Sequence, residues 1–162
     1  MGYLSHIFIL INIYIILTVA TGLIVGLSRM ISLGQAAFYG LGAYITALCI
    51  LLLDLSLIPS LILVMLVNGI LSLLLALPAI RLKGDYFILA TLAFQFIVYA
   101  LLNNLTGITN GSLGISGIVP VSLLGVYTIE GQSGFLILSM VLMLIGVAVF
   151  YKIYHSPFGT AL

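Results

Sequence analysis

"LILVMLVNGILSLLLALPAI", residues 61–80, carries no charged side chain and one strongly polar residue, Asn68. As a helix rising about 1.5 Å per residue, a run of this length spans roughly 30 Å, the hydrocarbon thickness of a bilayer. "FLILSMVLMLIGVAVF", residues 135–150, reads the same way. Both runs are apolar on every side. A membrane β-strand would alternate apolar and polar at period two, so the pattern predicts helices that cross a membrane and disfavours a β-barrel.

The whole chain follows these two runs. Of 162 residues, four are Lys or Arg and three are Asp or Glu, and 64% are apolar; a soluble domain carries roughly a quarter charged residues. The charges delimit uncharged stretches at 1–28, 30–53, 55–80, 86–129 and 131–151. Within them the sequence predicts spans at about 6–27, 33–53, 57–79, 86–104 and 133–153, where roughly 20 residues suffice to cross. The fold class expected is all-α, a polytopic transmembrane bundle of about five spanning helices forming one membrane domain over 1–162. Pro59 and Pro78 mark the ends of the third helix, since proline breaks a helix interior. The opening "MGYLSHIFILINIYIILTVATG" lacks the basic n-region of a signal peptide and has too long an apolar run, so it is read as a retained helix. Gly2 lacks the downstream Ser or Thr of a myristoylation signal.

Orientation is read from Lys and Arg, which short cytoplasmic loops retain. Arg29 follows the first span, Arg81 and Lys83 lie between the third and fourth, and Lys152 ends the fifth. Alternate loops therefore carry the basic residues, which places the N-terminus outside and the C-terminus in the cytoplasm. Asp54 and Glu130 lie in the other loops.

The residues needed for chemistry are missing from the pattern. Two histidines at opposite ends, no clustered carboxylates and a lone Cys49 give no metal-ligand spacing and no nucleophilic arrangement; Cys49 reads as a small apolar packing residue. "GLGAYITA" has neither the glycine spacing nor the strand context of a nucleotide fingerprint, and no basic stripe supports nucleic-acid binding.

Two helices carry patterned faces. In "ISLGQAAFYGLGAYITA", residues 31–47, Ala36, Gly40, Ala43 and Ala47 form a small-residue stripe suited to close helix approach, and Gly22 and Gly26 in the first helix offer a matching pair. Beside that stripe, Gln35, Tyr39, Gly42 and Thr46 form a mildly polar face, whose amide either bonds another helix or lines a hydrated path. The fourth helix repeats the arrangement with Thr91, Gln95, Tyr99 and Asn103. Neither face is charged, so a proton relay is unsupported. Asp85 is expected to cap the fourth helix, its charge favouring the N-terminal amides, and Asn68 to bond a neighbouring helix. The glycine-rich segment "NNLTGITNGSLGISGIVPVSLLGVYTIEGQSG", 103–134, exceeds a minimal turn. It is expected to re-enter or fold over the helix ends, with a short amphipathic piece near 113–124.

"ISLGQAAFYGLGAYITA", "RLKGDYFILATLAF", "NNLTGITNGSLGISGI" and "SPFGTAL", in this order and spacing, resemble membrane permeases of the LivM type in the branched-chain amino acid ABC importer family. The resemblance implies a permease subunit forming part of the solute path. Its implied partners are a second permease subunit, a cytoplasmic ABC ATPase dimer and an external solute-binding protein, in a bacterial or archaeal plasma membrane. ATP would be used by those ATPases and no cofactor would be held by this chain, which would not itself be an enzyme. On this sequence the resemblance implies Gln35, Tyr39, Thr91 and Gln95 beside the path, and Gly107, Asn110, Gly111, Gly114 and Gly117 as the outer segment near the binding-protein side. Ser156, Phe158 and Gly159 would begin the ATPase-docking element. The chain departs from the pattern at Thr160, where the family resemblance leads to arginine, and at Leu162, where the match stops short of the family's length. A fragment, a split-gene product or a degenerate copy would each produce that. Permeation of urea or short amides, or a noncatalytic membrane assembly role without transport, are the alternatives.

Overall fold

The computed structural model describes residues 2–28, 32–79, 81–82, 84–117, 121–122, 128–129 and 131–156. Six α-helices occur among them: α1 Gly2–Ser28, α2 Gln35–Leu53, α3 Leu57–Ala79, α4 Asp85–Asn104, the single turn α5 Thr106–Thr109 and α6 Gly131–Tyr154. Five of these, all except α5, are long and apolar enough to cross a membrane. The protein is thus a multi-pass membrane protein with the predicted number of spans, each within a few residues of its predicted bounds. A 3₁₀ turn follows at Gly111–Leu113, and two two-residue strands, β1 Val121–Ser122 and β2 Thr128–Ile129, pair with each other.

Helix ends follow local chemistry. Pro59 sits in the first turn of α3, where its missing N–H leaves no intrahelical bond unmade, and Pro78 precedes that helix's last residue. Asp54 closes α2 in the left-handed conformation at φ 48°. Asp85 lies at the entrance of α4, where its charge favours the N-terminal amides as expected, although it is not the N-cap residue itself. The cap of α4 is Gly84, at φ 57°, and no side chain caps it by a hydrogen bond; Asp85 lies in the first turn and contributes only its charge.

The chain divides into two compact units, 1–31 with 129–162, and 32–128. In the first, α1 packs along α6. Asn12 Nδ2 donates to Ser139 Oγ at 3.1 Å, and a methyl built at Gly146 would lie 3.7 Å from Ile16 Cγ1. Contacts rise together in both sequences, so the two helices run parallel, as first and fifth spans must when every connection reverses direction.

The second unit is built on α2, α3 and α4. Asn68 on α3 bonds across to the Phe38 carbonyl at 3.3 Å, and Gly42 faces Asn68 and Val64, so α2 and α3 run antiparallel. The predicted interhelical role of Asn68 is thereby found. Buried positions in this unit are mostly small or polar: Ala37, Ala47, Cys49, Ser60, Thr91 and Thr109 among them. Large apolar side chains such as Met65, Leu73 and Leu77 point outward. That inversion fits a lipid-solvated protein, in which close packing and hydrogen bonding, rather than apolar burial, hold helices together.

Candidate functional site

Within the second unit, α2 and α4 run parallel, touch at one end and separate toward the other. At the start of α2, a methyl on Gly34 would lie 3.7 Å from Thr91 Cβ and 3.8 Å from Phe94 Cδ1, and the Phe38 and Phe94 rings pack with centroids 5.4 Å apart. Farther along, a cavity of about 630 Å³ lies between them. From α2 it is lined by Ala36, Ala37, Gly40 and Tyr44, and from α4 by Gln95, Phe96, Val98, Tyr99, Leu102 and Asn103. Residues Gly111–Gly114 form its rim.

The small side chains on α2 leave this space. Ala36 and Gly40 line the large cavity, and Ala43 and Ala47, with Tyr44 and Ile115, line an adjoining one of about 220 Å³. Gly40 also lies against α4, where an added methyl would meet Leu102 Cδ1 at 3.6 Å. Gly22 and Gly26, the expected partners of this small-residue stripe, have no described atom within 4 Å of an added methyl. Within its own unit, α1 packs along α6.

The two polar faces fare differently. On α4, Gln95, Tyr99 and Asn103 all line the cavity, one helical turn apart. Thr91, at the same spacing, does not: it is 1% exposed, its hydroxyl donates to the Ile88 carbonyl at 3.0 Å and accepts from the Leu33 N–H at 3.1 Å. On α2 the grouped residues disperse. Gln35 is half-buried in the first turn, Tyr39 is exposed and off the cavity, Gly42 faces α3, and Thr46 bonds back to the Gly42 carbonyl at 2.7 Å. The reason is α3, which takes up the face carrying Gly42 and leaves the small-residue face to the cavity.

The rim is tied to the end of α4. Thr109 Oγ1 lies 2.6 Å from the Leu102 carbonyl and 2.9 Å from that of Leu105, sharing its proton between them, and accepts from Gly111 N–H at 3.2 Å. Gly111 is buried at φ 58°, and a methyl there would sit 2.9 Å from the Asn103 carbonyl oxygen, so only glycine fits. Asn110, itself left-handed at φ 61°, donates from Nδ2 to the Gly114 carbonyl at 3.2 Å. The glycine-rich segment around 106–114 therefore folds over the end of α4. Gly107 and Asn110 face a separate hollow of about 250 Å³ beside Leu48, Leu51 and Leu52, and Gly117 lies beyond it at φ 81°. Leu113 ends the 3₁₀ turn with its side chain exposed, and most of the piece expected at 113–124 lies outside the described residues.

Sequence reasoning missed two contributors to the cavity and its rim, Tyr44 and Thr109, and one pair elsewhere, within the α1–α6 unit. Tyr44 reaches the cavity from the edge of the small-residue stripe, one turn beyond Gly40, a spacing that was available to read. Thr109 precedes the Asn110–Gly111 turn pair, also a visible signal. The Asn12–Ser139 pair spans 127 positions and has no local signature. Ser156 is described, its hydroxyl bonding the Ile153 carbonyl at 2.8 Å. Phe158, Gly159 and Thr160 lie outside the described residues, as do Arg29, Lys83 and Glu130.

Among the described residues, those lining the cavity between the parallel helices α2 and α4 carry no charged side chain. Residues 3–162 match the family described as branched-chain amino acid transport system / permease component. The chain belongs to this permease family. Two curated relatives are each named high-affinity branched-chain amino acid transport system permease protein LivM. That of Salmonella typhimurium is 43% identical over 113 residues, covering 70% of this chain and 27% of the relative. That of Escherichia coli is 42% identical over 113 residues, with the same coverage. The aligned stretch thus spans about a quarter of the length of these relatives. No solved structure matches. The permease family is one of transporter components, which agrees with a non-enzymatic chain.

Proposed function

We propose that this chain is the permease subunit, or part of one, of an ATP-driven importer for branched-chain amino acids, and that the cavity between α2 and α4 is its share of the solute path. The observation that carries this reading is the ladder of Gln95, Tyr99 and Asn103 along a cavity without a charged side chain. Amide and phenol groups donate and accept hydrogen bonds, which suits a solute whose ammonium and carboxylate cancel. A solute of net charge would instead need a counter-charge in so poorly polarisable a setting. Val98 and Leu102 lie along the other edge of the same α4 face and offer an apolar surface to an aliphatic side chain.

The partners follow from the resemblance: a second permease subunit, a cytoplasmic ATPase dimer that hydrolyses the ATP, and a solute-binding protein that delivers to the Gly111–Gly114 rim. The membrane is the bacterial or archaeal inner membrane, with the N-terminus outside and the C-terminus cytoplasmic. Ser156 then begins the segment that meets the ATPase. Uptake of radiolabelled leucine, isoleucine and valine by membranes carrying the assembled complex tests this. Alanine at Gln95 is expected to lower uptake about tenfold, the effect of roughly 1.4 kcal/mol lost in the path, with assembly intact. Uptake of urea or short amides instead, or stable assembly without any flux, would sink the reading.

A further inference from the structure

We propose that Thr91 is a latch that closes the cavity at the α2 N-terminal end. The inference rests on reading the cavity as part of a solute path, and it assigns Thr91 a place beneath that path, not along it. Thr91 lies one turn before Gln95 on the same side of α4. The polar ladder from Gln95 to Asn103 covers about 12 Å at roughly 1.5 Å per residue and ends at the Gly111–Gly114 rim. Below Gln95 the polar lining stops. There Thr91 is fully enclosed, and its hydroxyl takes the N–H of Leu33 from the segment leading into α2.

The chemistry of that contact makes it a switchable closure. Leu33 N–H precedes the first turn of α2 and has no partner within that helix, so Thr91 supplies its acceptor. The same hydroxyl proton is used on the Ile88 carbonyl, which orients the oxygen lone pairs toward Leu33. Gly34, with no side chain, comes close to Thr91, an added methyl lying 3.7 Å from its Cβ and from its carbonyl oxygen, and the Phe38 and Phe94 rings pack beside this contact. The Leu33–Thr91 hydrogen bond, the Gly34 contact and the Phe38–Phe94 ring pair together hold the α2 N-terminus against α4, and parting them would open a passage from the cavity toward the opposite membrane face.

Two measurements on the full chain test the latch. In a Cys49→Ala background, which removes the sole cysteine, Gln95→Cys reports access of a membrane-impermeant maleimide from each side of oriented vesicles. Labelling is expected from the side carrying Gly111–Gly114. Thr91→Val should raise labelling from the other side roughly fivefold, the shift that loss of one net hydrogen bond gives, while Thr91→Ser should match the parent. Labelling of the parent from both sides or from neither, or a Thr91→Val variant equal to the parent, overturns the latch.

The second measurement removes dependence on that variant's folding. A Cβ at Gly34 would lie 3.7 Å from Thr91 Cβ, against about 3.8 Å in a disulfide. Gly34→Cys with Thr91→Cys, oxidised with copper phenanthroline, should crosslink within the chain and lose uptake, and dithiothreitol should restore it. Failure to crosslink, or full uptake with the bond formed, overturns the proposal. A parent complex that carries no branched-chain amino acid overturns the function proposed above, and the sided labelling then decides the latch by itself.

Discussion

Thr91 and Asn68 show what single residues disclose from sequence alone. Asn68 is the one strongly polar residue in an apolar helix, so its amide had to find a carbonyl on a neighbour, and it bonds Phe38. Thr91 shares its four-residue spacing with Gln95, Tyr99 and Asn103, and spacing alone grouped it with them. What separates it is a backbone N–H contributed from 58 positions away, which no pattern on α4 records. Gly111 is the sharpest residue-level test. Alanine there meets both a positive φ and the Asn103 carbonyl, so Gly111→Ala is expected to destabilise the complex by about 1–3 kcal/mol, seen as a lowered melting temperature in detergent. An unchanged melt would mean that the rim does not depend on the turn.

At the scale of elements, helix ends were legible and helix faces were not. Charges, prolines and run length fix where each span begins and ends. Faces depend on which neighbour is present, because lipid and another helix are about equally apolar and leave little imprint on the hydrophobic pattern. Ala36 and Gly40 on α2 line a cavity, with Gly40 also against Leu102 of α4. If that space is the path, filling it should block transport. Gly40→Leu is expected to reduce leucine uptake more than tenfold while copurification of the partners is retained, and Gly40→Ala to have a small effect, since its methyl sits 3.6 Å from the mobile end of Leu102. For α1 and α6, a double-mutant cycle of Asn12→Ala and Ser139→Ala should give a coupling of about 0.6 kcal/mol and at most about 1.7 kcal/mol. Additive single effects would show that the bond contributes nothing to stability.

Within each unit the helix directions fit connections that reverse direction. α1 and α6 run parallel, as do α2 and α4, with α3 opposed to α2, and this relative order is what five spans with reversing connections require. Which end faces the cytoplasm rests on Arg29, Arg81, Lys83 and Lys152 alone. Reporter fusions after residues 30 and 82 should therefore be active only as cytoplasmic reporters, and one after residue 116 only as an external reporter. The reverse pattern would invert every assignment of sides while leaving the helix packing as described.

Asn12 and Ser139 are also separated in time. A ribosome adding about 5–20 residues per second makes the first several to some tens of seconds before the second, because 127 positions lie between them. Throughout that interval the nascent first span holds a carboxamide in or near the bilayer without its eventual hydroxyl. Either α1 is held at the insertion machinery or another polar group shields Asn12 until α6 emerges. The order of synthesis, rather than the final packing, would then decide how much of this protein a cell succeeds in making.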